Sequence, residues 1–199
     1  MRTAREVARE RKSHGVNIYF WLTPLFATLR HSSPLFASLR FASILAPQNF
    51  FKTSSLIANS AMCTAILGGA EGGVVRESYE YGKYLGNAFQ LVDDVLDFEG
   101  NVEILGKERY GDLKSGLATG PVLFAEERKP EMRDLRLRKF SETGDIQRAL
   151  DIIYSTDALE RTKDLARVNA EMAADVVSGW DGERESMIEL CKIVVEREK

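Results

Sequence analysis

From residue 50 onward, apolar positions recur at helical rather than alternating spacing, and short polar or glycine-rich breaks divide them into segments. "KTSSLIANSAMCTAIL" reads as a helix of small residues that stops at Gly68-Gly69, and its Ala and Ser positions would let a neighbouring helix come close. A long helix is predicted from about Gly73 to Phe98. After a loop rich in Gly and Lys, "PVLFAEE" opens another helical segment at Pro121. "PEMRDLRLRKF" starts with Pro130 at a favourable first-turn position, and Gly144-Asp145 marks one stop and the next start. "TDALERTKDLARVNAEMAADVV" aligns Leu165, Val168, Met172 and Val176 on one stripe. "ESMIELCKIVVERE" does the same with Met187, Leu190, Cys191 and Val194. No strand-like alternation competes with these, so residues 50–199 are predicted all-α.

Residues 1–49 have a different texture and form an atypical N-terminal segment. Apart from Glu6 and Glu10, no Asp or Glu occurs before Glu71, although Arg11, Lys12, Arg30, Arg40 and Lys52 fall in between. "PLFATLRHSS" is followed at once by "PLFASLRFAS", identical at seven of ten positions. Two copies are too few for a solenoid, and a proline at the head of each breaks any single helix through both. The apolar run 16–29 covers 14 residues and contains Pro24, short of the roughly twenty residues a bilayer crossing needs. No transmembrane span is expected. The segment loosely resembles an organelle transit peptide, with Glu6 and Glu10 against that reading; a wrongly joined N-terminus is the alternative.

Composition narrows the classes. With 199 residues, 44% hydrophobic and 29% charged, the chain can hold one domain with a sizeable core. A net charge of -3 lacks the surplus Lys and Arg that hold phosphate backbones, so no nucleic-acid partner is expected. Cys63 and Cys191 match neither a CxxC metal pair nor a disulfide framework and read as reduced core thiols. The only histidines, His14 and His31, lie in the N-terminal segment, which argues against a His-based zinc site or triad. Any metal should be bound through oxygen.

The chemistry concentrates in "GNAFQLVDDVLDFEG" (86–100). At about 100° per residue, Gln90, Asp93, Asp94 and Asp97 project from one face, and Gly86 falls on that face a turn earlier, leaving open space beside the carboxylates. The stripe Val75, Tyr79, Gly82, Gly86, Phe89, Asp93 and Leu96 puts Asp93 where the pattern expects a core residue. An inward carboxylate needs basic partners or a metal. Three clustered carboxylates favour a divalent cation, and Mg²⁺ suits an oxygen-only set that leaves room for phosphates. An EF-hand fails, because Val95 stands at its third position and no glycine at its sixth. Spacing alone also fits solvated acids at the end of an amphipathic helix.

In order along the chain, "FFKTSSLIANS", "FQLVDDVLDF" and "LGKERYGDLKSGLATGP" resemble the trans-type polyprenyl diphosphate synthases. "DLKSGLATGPVLFA" and "RKFSETGDIQRAL" are most similar to the catalytic subunit of long-chain members that make decaprenyl or solanesyl diphosphate for ubiquinone. The resemblance covers residues 50–199. It implies an isoprenoid-synthase-type helical bundle, here partial and lacking its N-terminal helices. It also implies a prenyltransferase of isoprenoid biosynthesis that condenses isopentenyl diphosphate with an allylic diphosphate, using Mg²⁺. Asp93, Asp94 and Asp97 correspond to the family's second aspartate-rich motif, with Asp93 and Asp97 the stronger metal contacts, and Gln90 belongs with them. Lys52 and Thr53 match its Lys-Thr pair, and Lys107 the lysine after the second motif, both lysines aimed at the allylic diphosphate. Asp112 is similar to a family acid whose role is structural. Lys83 reads as solvated or locally paired, and Phe89 and Leu96 as core.

The family's first aspartate-rich motif has no counterpart, since residues 1–49 contain no Asp. The reading is therefore a synthase represented by a shortened or misassembled product, with a non-catalytic helical partner of a complete synthase as the alternative. A terpene cyclase is third, because the Lys-Thr and "LGK" motifs fit chain elongation better. Homo- or hetero-oligomers with polyprenyl synthase subunits are implied. So is a mitochondrial location, with the cytoplasm as the alternative.

Overall fold

A computed structural model of the chain describes residues 45, 47–100, 110–182 and 184–197. The N-terminal segment up to residue 44, with its repeat, His14 and His31, lies outside the described residues, and so does Lys107. A compact unit spans Pro47–Lys199, and everything below belongs to it.

The unit is built of helices, with no strand among the described residues. A π-helical segment, Phe50–Ser54, runs directly into α1 (Ser55–Leu67), which stops at Gly68 and Gly69, the latter at φ +72°, a turn that glycine adopts without Cβ strain. α2 (Gly72–Glu99) is the long central helix. A short turn of helix, α3 (Gly111–Lys114), precedes α4 (Gly120–Arg128), which carries Pro121 in its first turn where the missing N–H costs nothing. α5 (Met132–Leu137) begins later than Pro130 suggested. α6 (Asp145–Tyr154) follows Gly144 at φ +90°, and α7 (Ala158–Val177) and α8 (Arg184–Glu196) complete the unit.

α2 organises the rest, packing mainly against α7 and α1 and also against α8 and the π-helical segment. Because neighbours lie on several sides, its middle is buried almost all round. The core stripe is Tyr81, Tyr84, Leu85, Ala88, Leu91, Val92, Val95 and Phe98, rotated from the Val75–Leu96 stripe that the sequence suggested. One apolar cluster joins Tyr84, Leu85 and Ala88 to Ala170, Ala173 and Val177 of α7 and to Cys191 and Val194 of α8. A second gathers Phe98, Leu113, Phe124, Met132, Leu135 and Ile153 at the other end of α2. Phe98 is 1% exposed, and burying such a ring stabilises by about 1.5–3 kcal/mol relative to leaving it in water.

Three expectations change at this level. In α7 the buried positions include the small residues Ala166, Ala170 and Ala173 together with Val177. The predicted stripe Leu165, Val168, Met172 and Val176 is only partly buried, with Met172 and Val176 packing on the cluster shared with α2. In α8, Leu190 is exposed while Cys191 and Val194 are buried. Cys63 is exposed, so only Cys191 is the expected core thiol.

Candidate active site

The site forms where the π-helical segment crosses α2. A Cβ on Gly86 would come within 2.6 Å of the Ser54 Cα, and one on Gly82 within 2.8 Å of the Ala58 Cα. The space at Gly86, expected to lie open beside the carboxylates, is thus filled by the backbone of the crossing segment. The Ser54 hydroxyl donates to Asn87 Oδ1 at 2.6 Å, which fixes the crossing laterally.

This approach brings Thr53 onto Gln90. The Thr53 hydroxyl donates to Gln90 Oε1 (2.5 Å), and Gln90 Nε2 donates to Asp94 Oδ1 (2.8 Å). The other Asp94 oxygen accepts from the Gly120 N–H at the start of α4 (3.3 Å). Asp94 is 1% exposed and Gln90 2%. Burial pushes the Asp94 carboxyl up to about 7, against the hydrogen bonds from Gln90 and Gly120 and the charge of Lys52, with Asp112 adding to the rise. The inward carboxylate is therefore Asp94 rather than Asp93. The single-stripe reading missed this because α2 is enclosed on more than one side.

Asp97 faces the start of α3. Its Oδ1 accepts from the Gly111 N–H (3.0 Å) and its Oδ2 from the Asp112 N–H (3.2 Å), so one carboxylate caps the first turn of α3. Tyr110, at φ 63°, makes the turn that returns the chain there, and its N–H donates to the Asp97 carbonyl (3.2 Å). Partial burial raises the Asp97 carboxyl, opposed by these two N–H donors. Lys52 Nζ stands 3.0 Å from Asp112 Oδ2, so the Lys-Thr pair reaches the acidic face by two routes, Thr53 through Gln90 and Lys52 through Asp112.

Asp93 lies on the open flank, its side chain 45% exposed, and pairs with Arg197 Nη2 at 2.5 Å. Nothing in the local sequence points to this partner, which lies 104 residues away. Lys83 is buried and locally paired, with Glu80 one turn back and its Nζ 4.5 Å from the Tyr84 ring centroid. Phe89 and Leu96 are partly buried beside the acidic face.

Among the described residues, no three His, Cys, Asp or Glu side chains converge into a ready-made metal cage. The donor set still fits a hard cation. Asp93 and Asp97 are carboxylates one turn apart and neither is fully buried, whereas Asp94 is enclosed. Mg²⁺ commonly takes one or two carboxylates and completes its shell with water and phosphate oxygens.

The structure thus defines an all-α protein with an acidic face on its central helix and a lysine-bearing segment laid across it. The chain belongs to the polyprenyl synthetase family, whose profile matches residues 48–153. It is 43% identical over 152 residues to a prenyl transferase of Synechocystis sp., a match covering 75% of this chain and 47% of that protein. Over 154 residues it is 42% identical to a probable mitochondrial hexaprenyl pyrophosphate synthase of Neurospora crassa, covering 76% and 34%. The fold is similar, at a TM-score of 0.67 and 28% identity, to a Caulobacter crescentus polyprenyl synthase crystallised with calcium and isoprenyl diphosphate, covering 84% of this chain and 60% of that one. The chain spans less than half the length of the two curated relatives.

Proposed function

We propose that the chain supplies one side of the active site of a prenyltransferase. The reaction joins isopentenyl diphosphate to an allylic diphosphate and builds a long-chain all-trans polyprenyl diphosphate for the ubiquinone side chain. The observation that carries this reading is the convergence of Lys52 and Asp97 on one residue. Asp112 accepts the Lys52 ammonium at 3.0 Å and gives its own N–H to Asp97 at 3.2 Å, so a partly exposed cation stands beside the carboxylate face. An allylic C–O bond ionises when the departing diphosphate is met by fixed positive charge. Lys52 exchanges Asp112 for the diphosphate, and Lys107 is the expected second lysine. Gln90, held by Thr53, orients Asp94 behind the face.

Asp93 and Asp97 would hold Mg²⁺, with Asp94 in support; when bound, it supplies charge stabilisation for the leaving group. The relative crystallised with calcium is in keeping with a divalent cation as the partner of such a protein. The mitochondrial name of the Neurospora relative favours a mitochondrial location over a cytoplasmic one.

Fusing the N-terminal portion of the Synechocystis relative to the chain tests the reading. Radiolabelled isopentenyl diphosphate should be transferred to farnesyl diphosphate only with Mg²⁺, and absence of labelled product would sink it. A second reading, a non-catalytic partner of a complete synthase, is favoured by one observation. α1 and the segment before it expose Phe51, Leu56, Ile66 and Leu67, apolar surface that a further helical layer would cover. A tagged chain that never co-purifies with a co-expressed complete synthase counts against it.

A further inference from the structure

Arg197, just past α8, grips one turn of α2 in three ways. Its Nη2 donates to Asp93 Oδ1 (2.5 Å) and to the Phe89 carbonyl (2.8 Å), and its Cζ lies 3.7 Å from the Phe89 ring centroid. The guanidinium suits all three contacts, being planar, weakly hydrated and permanently charged. Its side chain is 17% exposed, and its Nε is buried without a hydrogen-bond partner. The grip on Asp93 is therefore through one nitrogen and one carboxylate oxygen rather than a two-pronged fork. The helix that delivers Arg197 is itself docked: Cys191 and Val194 pack against α2, and the Tyr81 hydroxyl donates to the Met187 carbonyl (3.0 Å).

We propose that Arg197 is the resident counter-cation of Asp93. It clasps the end of α8 to the acidic face when no metal is bound, and a divalent cation at that face competes with it. The competition rests on the reading of the face as a divalent-cation site; the clasp does not. Two effects of Arg197 on a metal oppose each other. Holding Asp93 in place saves the small rotational freedom of a short side chain. Placing a permanent positive charge in contact with a metal-binding carboxylate repels a doubly charged ion at close range. The repulsion is the larger, because both ions would lie within a few ångströms of the same carboxylate. Arg197 thus lowers metal affinity, and by linkage the metal loosens the end of α8 by the same factor.

The test uses the full chain and Mn²⁺ alone, with free Mn²⁺ followed by electron paramagnetic resonance. Arg197→Gln should tighten binding by roughly tenfold, while Arg197→Lys, which keeps the charge and loses the stacking, should stay within about threefold of the parent. Equal or weaker binding by Arg197→Gln overturns the competition. A metal-free urea-unfolding cycle of Asp93→Asn, Arg197→Gln and the double variant tests the clasp separately. The double variant should lose less stability than the two singles together, by roughly threefold or more in the folding equilibrium, and additive losses overturn the clasp. If none of the proteins binds Mn²⁺, the metal reading of the acidic face and the competition both fall, and the unfolding cycle still decides the clasp.

Discussion

The Thr53 hydroxyl stands 2.5 Å from Gln90 Oε1, and this contact decides which end of the Gln90 amide faces Asp94. With its oxygen turned to Thr53, Gln90 presents its NH₂ to the Asp94 carboxylate at 2.8 Å. Thr53→Val removes the donor at nearly constant volume and strands a buried amide oxygen. It should destabilise the fold by about 1–3 kcal/mol, with Thr53→Ser restoring most of the loss. Urea unfolding of the three proteins checks this, and an unchanged midpoint for Thr53→Val would show that the contact holds nothing.

Gly86→Ala pits helix propensity against packing. Alanine in a helix interior gains about 1 kcal/mol over glycine. Here, however, the new Cβ would stand 2.6 Å from the Ser54 Cα, a backbone atom with no rotamer to change. Forced overpacking costs about 1–3 kcal/mol, so the net effect should be destabilising. Gly73→Ala is the control, because nothing lies within 4 Å of its Cβ position, and it should leave the thermal midpoint unchanged or raised.

Asp94 gives stability a pH dependence of defined sign. Its carboxyl is pushed from 3.8 up to about 7 in the folded chain. Between those values the folded state holds a proton that the unfolded state has lost. The contribution is complete below the unfolded value and is lost as pH rises through the folded one. From about pH 5 to 7 the parent should lose stability relative to Asp94→Asn by up to about 1.4 kcal/mol per pH unit. Parallel curves of unfolding free energy against pH for the two proteins would contradict the assignment.

Much of the fold was legible because helix boundaries are local events. Gly68-Gly69, Pro121 and Gly144-Asp145 each mark a stop or start by backbone chemistry that acts within a few residues. The facing of each helix was less legible, since it depends on how many neighbours the helix has. α2 is enclosed on several sides, and a single-stripe reading put Asp93 inward where Asp94 is buried. Gly86 shows the same limit: a glycine on the acidic face reads equally as a cavity or as a close crossing, and only the position of Ser54 decides. The reach of Arg197 to Asp93 carried no local signal. Its spacing from Asp93 depends on α7 and α8 folding back along α2.

Lys52 separates stability from ligand binding. Its pair with Asp112 is partly exposed, the lysine side chain at 37%, and such pairs contribute about 0–1 kcal/mol. Lys52→Gln should therefore move the unfolding free energy by about 0.5 kcal/mol or less. It should weaken binding of inorganic diphosphate in the presence of Mg²⁺, read by calorimetry, and a large stability loss with unchanged binding would reverse the assigned role.

The face formed by Asp93, Asp94 and Asp97, with Lys52 across from it, is proposed to hold an allylic diphosphate through a divalent cation. Calorimetric titration of the full chain with farnesyl diphosphate, with and without Mg²⁺, tests it most directly. Binding should require Mg²⁺, be abolished in Asp93→Asn/Asp97→Asn and be weakened in Lys52→Gln. Absence of binding with Mg²⁺ present, or binding that needs no Mg²⁺ and ignores these substitutions, would contradict it.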